Sequence, residues 1–256
     1  MSHYTGEMAV AMVTGASRGV GRGVAIALAA DGFDVFATGR SILSADLPPA
    51  IRRMRCDHLN DTETRAAFDE VRARCGSLDV LVNSAWGGYE RMMEDGQFTW
   101  PRPFWEQPMH RWASMMDSGV RAAYVASSEA AKIMVGLRAG LIVNISAWAA
   151  RKHLGNVIYG ISKAATDKMT GDTAAELRPN GVTAISLYPG LVRTEAVVAS
   201  GAFDLTNSES PEFIGRVIAA LWRDPALAQR SGQVLVAAAV ASELVFEMWM
   251  ANNRAR

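Results

Sequence analysis

The sequence predicts an α/β fold, a single domain built on a doubly wound parallel sheet with helices on both faces. Three observations carry this reading. Short apolar runs alternate with helical stretches, the runs are apolar at nearly every position, and the first of them ends in a glycine-rich loop that opens a helix. A strand covered on both faces needs apolar residues on both, so continuous runs point to a parallel sheet. At 256 residues the chain suits one such domain and would cramp two.

Met8 to Val13 is the first apolar run and ends in Thr14-Gly15-Ala16-Ser17-Arg18-Gly19-Val20-Gly21. A helix, Arg22 to Ala30, follows and stops at Asp31-Gly32. The second run, Val35 to Thr38, ends at Gly39-Arg40, completing the opening of a βαβ unit. Pro48-Pro49 lies in a stretch, Arg40 to Met54, too short for a long crossover helix. Leu78 to Asn83 reads as a strand, Arg111 to Met134 as a long helix and Leu141 to Ser146 as a strand. Tyr159 to Leu177 reads as a helix, Val182 to Leu187 as a strand, Glu212 to Trp222 as a helix and Gln233 to Ala237 as the last strand. Two segments are irregular: 86–108, rich in Gly, Pro and aromatics, and 195–211, rich in small and polar residues. Each follows a predicted strand, where loops of an open α/β sheet border the ligand crevice.

Half the residues are hydrophobic and a fifth charged, enough for a large core. Lys+Arg and Asp+Glu each total 26, which argues against nucleic acid or an anionic membrane as main partner, since both need a basic footprint. Cys56 and Cys75 are too few for a disulfide framework and lack metal-site spacing, so a reducing, cytoplasmic setting is expected. His3, His58, His110 and His153 share no spacing, and no metal is expected. Met1 to Glu7 lacks the features of a signal peptide. Val234 to Met250 is apolar but interrupted by Glu243 and Glu247, and reads as core or interface rather than a membrane span.

The glycine loop is where chemistry begins. Gly15, Gly19 and Gly21 sit between strand and helix, where the backbone turns tightly and the helix N-terminus offers N–H groups to a pyrophosphate. The spacing G-x-x-x-G-x-G is not the general dinucleotide fingerprint, and alone it fits a plain tight turn equally well. Gly39-Arg40 then stands where an acid would bond the ribose 2′-OH of NAD, while an Arg suits the 2′-phosphate of NADP. Arg18 is a second cation for that phosphate, although both arginines also fit a solvated surface. The missing acid favours NADP(H) and leaves NAD(H) open.

Tyr159 and Lys163 lie four residues apart on one helix face, and Ser146 closes the preceding strand. An ammonium beside a phenol favours the phenolate, which brings an otherwise weak acid/base towards neutral pH. A serine hydroxyl there suits orienting a carbonyl. By itself Y-x-x-x-K is more often a core Tyr and a surface Lys. Glycine loop, Asn83 after a strand, Ser146 after a later strand, then Tyr159 and Lys163, in that order, is far more specific.

With these residues the sequence resembles the short-chain dehydrogenase/reductase family over nearly its whole length, and within it the dehydrogenase/reductase member 1-like branch, with which it shares Phe104-Trp105-Glu106 and Gly119-Val120-Arg121. The resemblance implies one NAD(P)-binding Rossmann-type domain over residues 1–256. It implies Ser146, Tyr159 and Lys163 as catalytic residues, with hydride passing between nicotinamide and a carbonyl or alcohol carbon while Tyr159 exchanges the proton. It makes Gly15, Ser17, Gly19, Val20 and Gly21 the cofactor-binding loop, with Arg18 and Arg40 at the 2′-phosphate, and Asp57 and His58 at the adenine. Asn83 and Ala85 would support the ribose region, Lys163 would also grip the nicotinamide ribose, and Pro189, Gly190, Val192 and Thr194 would meet the carboxamide.

Two departures stand out. Gly119, beside Ser118, occupies the position of an Asn that in many members holds a proton-relay water, and Trp86 replaces a small residue after Asn83-Ser84-Ala85. A helix bend at Gly119 that lets water reach a backbone carbonyl and Lys163 is the expected compensation. Trp86, Trp105 and Trp148 are candidate walls of an apolar substrate pocket, although core packing is the commoner role of tryptophan. The partners expected are a small carbonyl or alcohol and further copies of the chain, as a homodimer or homotetramer. Ala122, Ala123, Ala126, Ala130 and Ala131 suit close packing between subunits, and the run 234–250 needs a cover. The competing reading is a cofactor-binding scaffold or sensor with little turnover, since a fold does not fix a function.

Overall fold

Val10–Thr14 (β1) is buried along its whole length, as its unbroken apolar sequence requires. The computed structural model describes residues 8–88, 93–94, 97–201 and 203–244. After β1 come α1 (Gly19–Ala30), β2 (Asp34–Gly39), β3 (Arg52–Arg55), α2 (Asp61–Cys75) and β4 (Val80–Asn83). The short pair β5 (Met93–Glu94) and β6 (Gln97–Phe98) is antiparallel and falls inside the segment read as irregular. Then follow α3 (His110–Met115), a π-helical turn (Met116–Arg121) and α4 (Ala122–Leu137). The chain continues through β7 (Gly140–Ile145), α5 (Val157–Leu177), β8 (Val182–Tyr188), α6 (Glu195–Ser200), α7 (Pro211–Arg223) and β9 (Val234–Val236).

Seven strands form one parallel sheet in the order β3-β2-β1-β4-β7-β8-β9. The chain winds outward from β1 in both directions, so the crevice for a ligand opens at the C-terminal ends of β1 and β4. On one face α1 and α7 bury Val24, Leu28, Ile214 and Ile218 against Val13 and Val82. On the other, α2, α4 and α5 bury Phe68, Met134 and Leu177 against Met12 and Leu81.

Three expectations change. The predicted helix 111–134 is a broken one, α helix on either side of a π turn. Ala122, Ala123, Ala126 and Ala130 are buried inside the protein, where small side chains let α4 lie close to the sheet, so they are not subunit contacts. Leu235, Val240 and Leu244 belong to the core, so this part of the apolar run already has a cover, and 245–250 lie outside the described residues. Among the described residues no helix is long and apolar enough to cross a membrane.

Candidate active site

The glycine loop folds tightly against the end of β4. Gly15 has φ +66°, and a Cβ there would stand 2.5 Å from the Ala85 Cα. A Cβ on Gly21 would meet the Gly15 carbonyl oxygen at 2.5 Å. Arg18, the N-cap of α1, is extended and makes no side-chain cap. The helix instead receives an acid from far along the chain: the Gly19 amide donates to Glu195 Oε2 at 3.0 Å, and Arg22 Nε lies 3.2 Å from Glu195 Oε1. The N-terminus of α1 therefore already accommodates an anionic oxygen, the chemistry a pyrophosphate presents, and the cradle fits a dinucleotide.

At the next strand end Gly39 is buried because Ser17 lies over it; a Cβ would come within 2.5 Å of Ser17 Oγ. Arg40 and Arg18 are exposed beyond it. Asp57 is half-buried, and its Oδ1 accepts from the Leu59 amide at 3.1 Å. His58, next to it, turns inward and is 6 % exposed. Its Nε2 lies 2.7 Å from Thr38 Oγ1 and its Nδ1 3.3 Å from Thr64 Oγ1. Burial pushes its pKa down to about 4, so the ring is neutral at pH 7.

Thr14, Asn83, Asn144 and Ser186 pair in one row across the strand ends. The Asn83 amide donates to Asn144 Oδ1 at 2.8 Å and Ser127 Oγ at 2.9 Å, and Asn144 donates to Thr170 Oγ1 at 2.9 Å. Asn83 thus ties the sheet to α4 and, through Asn144, to α5, which makes it part of a framework at the strand ends. Thr14 Oγ1 accepts from the amides of Ser84 and Ala85 at 3.1 and 3.2 Å, fixing the backbone that meets the glycine loop.

Ser146, Tyr159 and Lys163 come together just past the end of β7. Asn156 caps α5 by accepting from the Tyr159 amide at 3.0 Å, and so sets the first turn from which the phenol projects. Lys163 Nζ donates to the Ile145 carbonyl at 3.2 Å, and Ser146 Oγ donates to the Lys163 carbonyl at 3.4 Å. All three side chains are at least nine-tenths buried. Burial lowers the Lys163 pKa to about 8, with Asp167, one turn on, opposing. Asp167 itself accepts from the Tyr188 hydroxyl, and Tyr188 is pushed up to about 12, chiefly by burial.

Aromatic rings enclose the phenol. Trp86 lies edge-on to Tyr159 at 5.7 Å and covers Lys163 Nζ at 4.1 Å. Trp100 is edge-on to Tyr159 at 5.2 Å. The sequence did not single it out; its position depends on the fold of 97–108. There the buried Arg111 donates to the Thr99 carbonyl at 3.0 Å, and Gln107 bonds the carbonyls of Thr99, Trp100 and Arg102. Trp105 is 72 % exposed against Phe104, and Trp148 packs on Tyr188 at 5.5 Å, so of the three candidate walls only Trp86 touches the phenol. The helix irregularity expected at Gly119 is the π turn. The room expected for water there is filled: a Cβ on Gly119 would stand 2.6 Å from the Trp86 ring.

The segment 189–194 runs beside the glycine loop. Gly190 donates to Glu209 Oε2 at 2.9 Å, Val192 is buried and bridges Glu209, and Thr194 Oγ1 caps α6 by accepting from the Val197 amide at 3.4 Å. A Cβ on Gly19 would lie 3.6 Å from the Thr194 methyl. Neither glutamate has a local sequence signal: the packing of α6 brings Glu195 to the glycine loop, and the return of the chain before α7 brings Glu209 to Gly190 and Val192. Among the described residues no group of His, Cys, Asp and Glu is arranged to hold a metal ion.

The short chain dehydrogenase family model matches residues 9–204. Dehydrogenase/reductase SDR family member 1 of Mus musculus is 37 % identical over 253 residues, covering 88 % of this chain and 78 % of that protein. The Homo sapiens protein of the same name is 36 % identical with the same coverage. A solved short-chain type dehydrogenase/reductase from Mycobacterium ulcerans superposes with a TM-score of 0.75 at 28 % identity, covering 89 % of this chain and 87 % of that one. The likeness expected from the motifs holds, and this chain belongs to the short-chain dehydrogenase/reductase family, on its member 1-like branch.

Proposed function

We propose that this oxidoreductase is an NADP(H)-preferring carbonyl reductase or alcohol dehydrogenase acting on an apolar ketone, aldehyde or secondary alcohol. The grouping of Ser146, Tyr159 and Lys163 past β7, next in the sheet to the strand that meets the glycine loop, supports it most directly. A nicotinamide, when bound, supplies or accepts the hydride. Tyr159 gives its hydroxyl proton to the carbonyl oxygen in reduction and takes it back in oxidation. The Lys163 ammonium stabilises the phenolate that forms. Ser146 holds the substrate oxygen; its contact with the Lys163 carbonyl, at 3.4 Å, is long enough to yield to a better acceptor. Trp86 and Trp100 keep water from the phenol and offer apolar surface to a substrate. The α1 N-terminus would hold the pyrophosphate, and Arg18 and Arg40 a 2′-phosphate. A homodimer or homotetramer is proposed from family likeness alone.

The test is NADPH consumption across a panel of carbonyls, by the parent and by Tyr159→Phe. We expect turnover in the parent, none in the variant, and cofactor binding nearly equal in both. A variant that keeps most of its activity would place the acid elsewhere. A parent inert on every carbonyl, yet binding cofactor, would favour the scaffold reading.

A further inference from the structure

We infer that Trp86 is a positioning residue for Lys163, its indole face holding the ammonium in place, and that Gly119 and Gly88 are glycines because they leave room for that ring. The inference rests on the reading of Lys163 and Tyr159 as the catalytic pair.

Gly88 and Gly119 are remote in sequence, yet a Cβ on either would strike the same side chain. On Gly88 it would stand 2.4 Å from Trp86 Cζ2; on Gly119 it would stand 2.6 and 2.7 Å from Cζ3 and Cε3. Neither glycine has a positive φ, so backbone conformation does not demand them. Helix interiors favour alanine over glycine, so Gly119 opposes the local preference and the ring accounts for it. The π turn over Met116–Arg121 carries Gly119 past the indole. The ring is thus boxed on both sides and has one place to be.

That place is over Lys163. Nζ lies 4.1 Å from the ring centroid, within the range of a cation–π contact, and its hydrogen bond is to the Ile145 carbonyl. Besides that carbonyl, the buried ammonium has the Asp167 carboxylate one turn on and the Tyr159 ring at 5.8 Å, and of the two rings the indole face is the nearer. The same ring is edge-on to Tyr159 at 5.7 Å, so one residue sets the distance between the two. An Asn at position 119 would put its Cβ within 2.6 Å of the indole, so Trp86 in this place and an Asn there exclude one another.

The consequence for chemistry has a sign. Removing the indole weakens the charged form of Lys163, so Tyr159 loses part of the field that favours phenolate and titrates at higher pH. Trp86→Leu should therefore move the Tyr159 limb of the pH–rate profile upward by half a unit or more, about a threefold change in the ionisation constant, whereas Trp86→Phe should keep most of it in place. An unmoved limb in Trp86→Leu would overturn the positioning role.

The packing claim is read without activity, from thermal unfolding of the parent, Gly119→Ala, Trp86→Ala and the double variant. Gly119→Ala should lower the midpoint in the parent and raise it in the Trp86→Ala background. The same effect in both backgrounds would overturn the box. Should Tyr159 prove not to be the acid, Tyr159→Phe would stay active and the pH limb would lose its meaning, while the unfolding cycle would still report on Trp86 and Gly119.

Discussion

Glu195 sits on the N-terminus of α1, its Oε2 accepting from the Gly19 amide at 3.0 Å although the two are separated by 176 positions. Arg22, from the first turns of the same helix, holds the other carboxylate oxygen at 3.2 Å. Thr194 precedes Glu195 and caps α6, so the acid is delivered by a short helix with its own sequence signal. The amide it uses is one that a pyrophosphate would need.

Glu195 should therefore compete with cofactor. Glu195→Gln removes the negative charge beside the phosphates and keeps the shape. A charge at a surface helix terminus is worth roughly 0.3–1 kcal/mol, so NADPH should bind roughly two- to fivefold more tightly, and NADH equally so. Calorimetric titration measures this. Weaker binding by the variant would show that Glu195 supports the bound state instead.

Arg40 should decide between cofactors. A charge-assisted bond to phosphate is worth about 1.5–3 kcal/mol, so Arg40→Ala should weaken NADPH roughly ten- to a hundredfold and leave NADH nearly unchanged. Equal affinity of the parent for the two cofactors would remove the basis for the preference.

His58 gives the fold an acid-sensitive element. Its folded pKa, about 4, lies below the ordinary 6.5. The unfolded chain therefore binds the proton first, and the neutral ring's stabilisation, complete above pH 6.5, is lost as pH falls from 6.5 towards 4. The shift corresponds to at most about 3 kcal/mol. Urea unfolding at pH 7 and pH 4.5 should show a steeper loss for the parent than for His58→Gln. Parallel losses would mean that the buried ring opens to water before the fold does.

What could be read from the chain alone follows from where each signal resides. The strands were legible because burial on both faces writes itself into consecutive residues, as in Val80-Leu81-Val82. Ser146, Tyr159 and Lys163 were legible because their spacing is local to one strand end and one helix turn. Helix α2 was missed. It is mostly charged and buries only Thr64, Ala67, Phe68 and Val71, so its periodicity is faint. Its cap was nevertheless written in the sequence: Asn60 accepts from the Thr62 and Glu63 amides, and Glu63 reaches back to the Asp57 amide. Trp100, Glu195 and the Trp86–Gly119 contact had no local signal, because each depends on two segments meeting across the fold.

Lys163 should show that the site is kept at a cost to the fold. Its folded pKa, about 8, lies below the ordinary 10.5, with burial as the cause. Between these values the unfolded chain holds a proton that the folded chain has released, so stability rises with pH from about 8 to 10.5, and below 8 the full penalty applies. That penalty is at most about 3 kcal/mol. Lys163→Met fills similar space without charge and forfeits the bond to the Ile145 carbonyl, worth about 1 kcal/mol. The cofactor-free variant should thus be more stable than the parent by about 1–2 kcal/mol at pH 7, with turnover lost. The advantage should vanish by pH 10.5, which denaturant unfolding across that range will read. A variant less stable than the parent at pH 7 would mean that Trp86 and Ile145 together more than offset the burial of the charge.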